Sequence, residues 1–138
     1  MTIETDIRRG SHCTFLMHVH LVFVAKYRRK IFDLDAIEKR RGYFASVCAN
    51  FDVELVEMDG KSEHVHLLNN YPPKLAVSSL VNSLKGASSR LLRRDRPDIA
   101  EHYYYKGVLW TPSYFAGSCG GAPISIIRQY IEQQQTPD

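Results

Sequence analysis

A chain of 138 residues with 44% apolar and 24% charged side chains has the length and core material of one globular domain, which excludes a multidomain enzyme, a disordered chain and a collagen-like repeat. The net charge of +3 is modest but unevenly placed. Lys26, Arg28, Arg29, Lys30, Lys39, Arg40 and Arg41 form one basic region, Lys85, Arg90, Arg93, Arg94 and Arg96 another, and Asp52, Glu54, Glu57, Asp59 and Glu63 fall between them. The longest nearly uncharged stretch, Cys13 to Ala25, is too short for a membrane span. Cys13, Cys48 and Cys119 form no CxxC pair, so neither a disulfide framework nor a zinc-thiolate site is expected, and a reducing cytoplasm fits.

From Phe15 to Val24 large apolar residues alternate at Phe15, Met17, Val19, Leu21 and Phe23, the pattern of a strand with one core face, while His18, His20, Val22 and Val24 make the mixed face. After the basic turn at Lys26 to Lys30, Asp33 is placed to cap a helix to about Asn50, in which Ile37, Arg41, Phe44 and Val47/Cys48 recur at helical spacing. Val53 to Met58, an Asp59-Gly60 turn and Glu63 to Asn70 read as a hairpin ended by Pro72-Pro73. Leu80, Val81, Leu84, Ala87, Leu91 and Leu92 stripe a second helix that closes by Pro97.

Tyr103 to Gly107 then reads as an aromatic loop and Val108 to Phe115 as a strand broken at Pro112. Gly117, Gly120 and Gly121 mark a flexible connection, and Pro123 opens a last helix to about Gln135. This order is the split βαβ, ferredoxin-like α+β pattern, an antiparallel sheet with helices on one face plus a C-terminal helix. It places the first and third strands side by side at the sheet centre and leaves the other face for a site. The whole chain, 1–138, is expected to be one domain with residues 1–12 a flexible N-terminal segment.

Alternation along the third strand sends His64 and His66 to one face and Val65 and Leu67 to the core. Two imidazoles so placed can converge on one metal ion, although HxH alone is equally read as a coincidence of packing. His18-Val19-His20 is the same tripeptide on the neighbouring strand and is read as support or packing for such a site. In the last helix Tyr130 and Gln134 stack at i, i+4 beside the apolar Ile124, Ile127 and Ile131. Tyr130 is either interfacial packing or a covalent nucleophile.

Glu63-His64-Val65-His66-Leu67-Leu68, the stretch from His20 to Arg29, Leu84 to Arg90, Leu109 to Phe115 and Gln129 to Gln134 together resemble the single-tyrosine HUH transposases of small insertion sequences, the IS200-like TnpA proteins, in order from about residue 13 to 135. The resemblance implies that His64 and His66 are metal ligands, with Gln134 a third ligand for Mg2+ or Mn2+, and that Tyr130 is the nucleophile. It implies cleavage and rejoining of single-stranded DNA through a 5′-phosphotyrosine, at a subterminal hairpin and adjacent cleavage site. It further implies a homodimer that exchanges, or keeps, its tyrosine helices, working at the nucleoid of a prokaryotic cytoplasm without a membrane. Two residues depart from the family pattern: Glu63 stands where aspartate is usual, and Asn69 places a polar group where an aliphatic residue is common.

For the DNA contacts, Lys26, Arg28, Arg29, Lys30, Lys85 and Arg90 are the candidate phosphate binders and Tyr27, Tyr103, Tyr104, Tyr105 and Trp110 the candidate stacking residues, against the alternative of a solvated charged surface and core aromatics. A non-catalytic ferredoxin-like nucleic-acid-binding module is the rival reading, but no RNP-like Gly-aromatic motif is present. A histidine-triad hydrolase is a third, and its last histidine would fall at Leu68.

Overall fold

The computed structural model describes residues 16–104, 107–117 and 124–134. The described chain runs β1 (Met17–Val24), a 3-10 turn (Lys26–Arg28), α1 (Leu34–Asn50), β2 (Glu54–Gly60), β3 (His64–Tyr71), α2 (Val77–Asp95), α3 (Pro97–Tyr103), β4 (Phe115–Gly117) and α4 (Ile124–Gln133). The strands form one antiparallel sheet in the order β2-β3-β1-β4. The ferredoxin-like α+β expectation therefore holds, with β1 and β3 as the central pair.

One face of that pair builds the core. Val19, Leu21 and Phe23 of β1 and Val65 and Leu67 of β3 bury against Phe44 and Val47 of α1 and Leu80, Leu84 and Leu92 of α2. Asp33 starts α1 as expected, its carboxylate accepting from the Ala36 N–H at 2.9 Å. At the other end Asp52 takes a left-handed φ of 58°, which lets the Val53 N–H return to the Cys48 carbonyl at 2.8 Å and satisfy a terminal acceptor of the helix. Trp110 is buried among Phe23, Phe32 and Phe44, and its indole N–H donates to Ser88 Oγ at 2.9 Å, which explains a buried serine on α2.

Several expectations are corrected. Asp59 and Gly60 are the last residues of β2, and the hairpin turns through Lys61 to Glu63 instead; the Lys61 N–H closes it on the His64 carbonyl at 2.9 Å. Arg40, not Arg41, faces inward from α1. The second helix closes before Pro97 as expected, at Asp95, but Pro97 also starts a further short helix, α3, that the sequence reading does not include, because proline is tolerated at a first helical position. Before Pro112 the strand expected at Val108 to Phe115 is reduced to isolated bridging, with Trp110 opposite Ala25, and ladder pairing with β1 begins at Phe115. Met17, expected in the core, is 41% exposed. Phe15, Tyr105, Gly120, Gly121, Pro123, Cys13, Cys119 and the 1–12 segment lie outside the described residues.

The second sheet face is not wholly open. Val22 and Val24 lie on it with no exposure, beneath Ile127 and Ile131 of α4, with Phe115 and Tyr130 packed alongside. The mixed face of β1 thus has an apolar half that the isoleucine stripe of α4 removes from water.

Asn69 lies fully buried on the core face of β3, with Cys48 Sγ 3.7 Å from its Oδ1 and its Nδ2 without a hydrogen-bond partner. An unpaired buried amide of this kind costs about 1–3 kcal/mol. Asn69→Leu is therefore expected to raise unfolding stability by about that amount, measured by urea titration with the single tryptophan as the fluorescent reporter; an unchanged or lower midpoint would refute it.

Candidate active site

The β1–β3 register pairs Val22 with His66 and Val24 with His64, so both histidines emerge on the face that carries α4. Their ring centroids are 4.9 Å apart. His20, two residues along β1 from Val22, closes on the pair: its Nε2 shares a 3.1 Å hydrogen bond with His66 Nδ1, and its ring stacks on that of His66 at 5.3 Å. His20, expected as a supporting or packing residue, therefore touches His66. His18, grouped with it from sequence, instead hydrogen-bonds Asn70, opposite it in the β1–β3 register and away from the pair.

Burial keeps these imidazoles neutral. His66 is pushed down to about 4 from 6.5, first by desolvation and then by the neighbouring His64 and His20; His64 and His20 are also lowered, chiefly by burial. A neutral imidazole offers a lone pair, the form in which histidine binds a metal. His64 Nδ1 is buried without a hydrogen-bond partner, with the nearest carboxylate, Glu63, at 3.8 Å. An unpartnered nitrogen in a neutral, buried histidine pair fits a cation ligand set. Among the described residues, however, no cluster of three or more His, Cys, Asp or Glu side chains with metal-holding geometry is present, so a third protein ligand from these types is lacking.

The pair opens into a cavity of about 350 Å³ lined by Arg28, Lys61, Glu63, His64, His66 and, from α4, Ile127, Arg128, Ile131 and Glu132. Tyr130 and Gln134 are not among its walls. The Tyr130 hydroxyl shares a 2.9 Å hydrogen bond with Ser113 Oγ while its ring leans on Phe115 at 6.1 Å, and the Gln134 amide donates to the Tyr130 carbonyl at 3.2 Å. The structure therefore brings together His64, His66 and His20, with Arg28 beside them, and leaves the predicted nucleophile and third ligand of the same chain outside. Glu63, Lys61, Arg128 and Glu132 were not singled out for the site from sequence; the i, i+4 spacing of Arg128 and Glu132 beside Ile127 and Ile131 was the available signal.

The hairpin carrying His64 is braced from behind. Arg40 is 2% exposed, and its Nη1 donates to the carbonyls of Lys61 and His64 at 3.3 and 3.4 Å, while its plane lies over Phe32 at 4.5 Å. Burial lowers it to about 10, so it stays charged at neutral pH. Gly60 is required beside it, because a Cβ there would come within 2.5 Å of the His64 carbonyl oxygen and 2.9 Å of the Arg40 guanidinium.

Of the candidate DNA contacts, Arg29, Lys30 and Arg90 are exposed, and Lys26 and Arg29 flank the Tyr27 ring at 5.1 and 5.8 Å. Lys85 is different. Its ammonium donates to the Thr111 and Ser113 carbonyls at 2.7 and 2.8 Å, and burial pulls it down to about 8, so it braces the loop that holds Ser113. Trp110 is core, and Tyr104 is buried with its hydroxyl on the Ser89 carbonyl at 2.9 Å, so neither presents a stacking face.

A family model described as transposase IS200 like matches residues 13–134. The chain belongs to the IS200-like transposase family. This transposase is 28% identical over 132 residues to the ISDra2 transposase TnpA of Deinococcus radiodurans, covering 96% of this chain and 94% of that protein. It is 31% identical over 136 residues to the transposase for insertion sequence element IS200 of Salmonella typhimurium, covering 96% and 86%. A crystal structure of a candidate transposase from D. radiodurans R1 matches it with a TM-score of 0.84 at 27% identity, over 94% of this chain and 99% of that one. A REP-associated tyrosine transposase bound to a REP hairpin shares the fold, with a TM-score of 0.57 at 14% identity over 84% of this chain and 62% of that one. The transposase is thus a DNA-processing enzyme of insertion sequences, and among its described residues no helix is long and apolar enough to cross a membrane.

The histidine cluster generates a pH signature. Because His66 is held near 4 in the fold against 6.5 for a free imidazole, the unfolded chain binds more protons between those values. Its contribution therefore falls as pH drops through that window and is constant below it. Imidazole NMR of the transposase is expected to show His66 titrating near pH 4, and His66→Gln to flatten the loss of stability between pH 6.5 and 4; a His66 midpoint near 6.5 would contradict the burial argument.

Proposed function

We propose that this transposase cleaves and rejoins single-stranded DNA by transesterification, with Tyr130 as nucleophile and His64 and His66 as the seat of a divalent cation, Mg2+ or Mn2+, at hairpin-bearing insertion-sequence ends. The observation that carries this reading is the buried, neutral histidine pair, open to a cavity whose wall holds three cations and two carboxylates and which is roofed by the helix that bears Tyr130. In the reaction, the Tyr130 oxygen attacks the scissile phosphorus and loses its proton. The new Tyr–O–P bond forms as the P–O3′ bond breaks, and the departing oxygen takes up a proton to leave as a 3′-hydroxyl. One phosphate ester replaces another, so a 3′-hydroxyl can reverse the step and rejoin strands without a nucleotide cofactor.

Held by His64 and His66, with Gln134 as the third ligand from α4, the cation supplies Lewis-acid polarisation of the phosphoryl oxygens. His20 keeps the His66 ring in place, and Arg40 and Gly60 fix the hairpin behind His64. Tyr130 meets a cavity when α4 is re-seated, within its own subunit or across a homodimer, and the position of Tyr130 on Ser113 in the single chain supports such a rearrangement. Lys26, Arg28, Arg29, Lys30 and Arg90 grip the DNA backbone, which makes binding fall with salt. The likeness of the fold to a transposase bound to a REP hairpin supports a hairpin ligand.

The reading is tested with tiled single-stranded oligonucleotides covering the DNA that flanks the coding sequence, incubated with the full chain and Mg2+ or Mn2+ and resolved on a denaturing gel. A covalent protein–DNA band is expected, absent in Tyr130→Phe. His64→Ala is expected to lose cation-dependent cleavage while retaining most DNA binding. A band that survives in Tyr130→Phe would overturn the assignment, and a reversible mobility shift without a band would favour a non-catalytic binding module.

A further inference from the structure

We infer that Arg28 is a catalytic residue of this site: its guanidinium contacts the non-bridging oxygens of the scissile phosphate and stabilises the charge that builds on them as Tyr130 attacks. The inference rests on the transesterification reading and adds to it a specific group of this chain.

Three cations, Arg28, Lys61 and Arg128, share the cavity wall with two carboxylates, Glu63 and Glu132. They differ in how firmly they are tied to the histidines. Arg128 rides on α4, the helix that must be re-seated, and Lys61 is exposed on the hairpin turn. Arg28 ends the short turn after β1, the strand that pairs with β3, and its side chain is 29% exposed. Its guanidinium Nε lies 3.8 Å from Glu63 Oε2, and the same oxygen lies 3.8 Å from His64 Nδ1. One carboxylate thus links the guanidinium to the candidate metal ligand.

The backbone makes the same point independently. Tyr27 and Arg28 both hold positive φ, 61° and 57°, a left-handed conformation that side-chain-bearing residues avoid. Two in succession persist only because the surroundings impose them: the Arg28 N–H is held by the Ala25 carbonyl at 2.7 Å, and the Lys26 N–H by the Leu109 carbonyl at 2.8 Å. Strain of this kind gathers at working sites, and here it fixes the residue that enters the cavity. A guanidinium suits the task, being planar, permanently charged and able to donate parallel N–H bonds to two phosphoryl oxygens.

A residue that only holds DNA would act on affinity, whereas a transition-state contact acts on the rate at saturating DNA. Removing one preorganised donor to a developing oxyanion typically costs about 10²–10³ in rate. Arg28→Ala is therefore expected to slow Tyr130 adduct formation by about 10²–10³-fold at saturating oligonucleotide, with less than about a tenfold change in Kd. Arg28→Lys, which keeps the charge and loses the fork, is expected to fall between. Thermal unfolding checks that each variant is folded.

The discriminating probe is the same oligonucleotide with a neutral methylphosphonate at the mapped cleavage position. With the resident negative charge and one of the two non-bridging oxygens removed, much less charge is left for the guanidinium to stabilise, and the gap between wild type and Arg28→Ala should close to within a few-fold. A gap that persists on the methylphosphonate, a loss confined to Kd, or equal rates on the ordinary phosphodiester would each overturn the role of Arg28 while leaving the Tyr130 reading intact. Absence of any wild-type adduct would overturn both.

Discussion

The pairing of β1 with β3 is the constraint on which the rest depends. Its register sets Phe23 opposite Val65 and Leu21 opposite Leu67, and these four fill the core under α1 and α2. Side chains alternate along a strand, so the same register obliges Val22, Val24, His64 and His66 to face the other way. A slip of one residue would bury the histidines and expose the core. Core stability and the position of the candidate ligands are therefore consequences of one set of backbone hydrogen bonds.

Behind that pair, groups that look peripheral in the chain hold the site in shape. Arg40 reaches from α1 through the apolar interior to the carbonyls flanking the hairpin, a buried charge whose desolvation is offset by those dipoles and the Phe32 face. Lys85 does the equivalent for the loop at Thr111 and Ser113, and Ser113 in turn holds the Tyr130 hydroxyl. Two cations expected to meet solvent or DNA thus brace backbone carbonyls around the candidate site. The basic regions of the sequence divide into structural and surface members, and only packing separates them.

The cavity combines opposed demands. Burial strips water from the imidazoles and keeps them neutral, which suits a cation, and the proposed reaction would bring a phosphate into the same space. Arg28, Lys61 and Arg128 put three cations in its wall beside Glu63 and Glu132, while Ile127 and Ile131 of α4 cover the valines of the central strand. The helix that roofs the cavity is also the one that bears Tyr130, so in the proposed reaction the re-seating that presents the nucleophile also moves the roof.

Read as a sequence, the chain determined much of this by itself. Period-two alternation in β1 and β3 assigned Val19, Leu21, Phe23, Val65 and Leu67 to the core and His64 and His66 to the opposite face; the Asp33 cap and the Leu80 to Leu92 stripe located two helices; and the ordered motifs from His20 to Gln134 pointed to the family. These signals are local and survive in a linear reading. The tertiary structure alone decided that Arg40 and not Arg41 is buried, that Pro97 begins a helix, that β4 starts at Phe115, that His20 touches His66 while His18 does not, and that Tyr130 rests on Ser113 outside the histidine cavity. Each of these depends on which distant segment packs against the residue, and that is set by the balance of burial, backbone hydrogen bonding and charge across the whole fold.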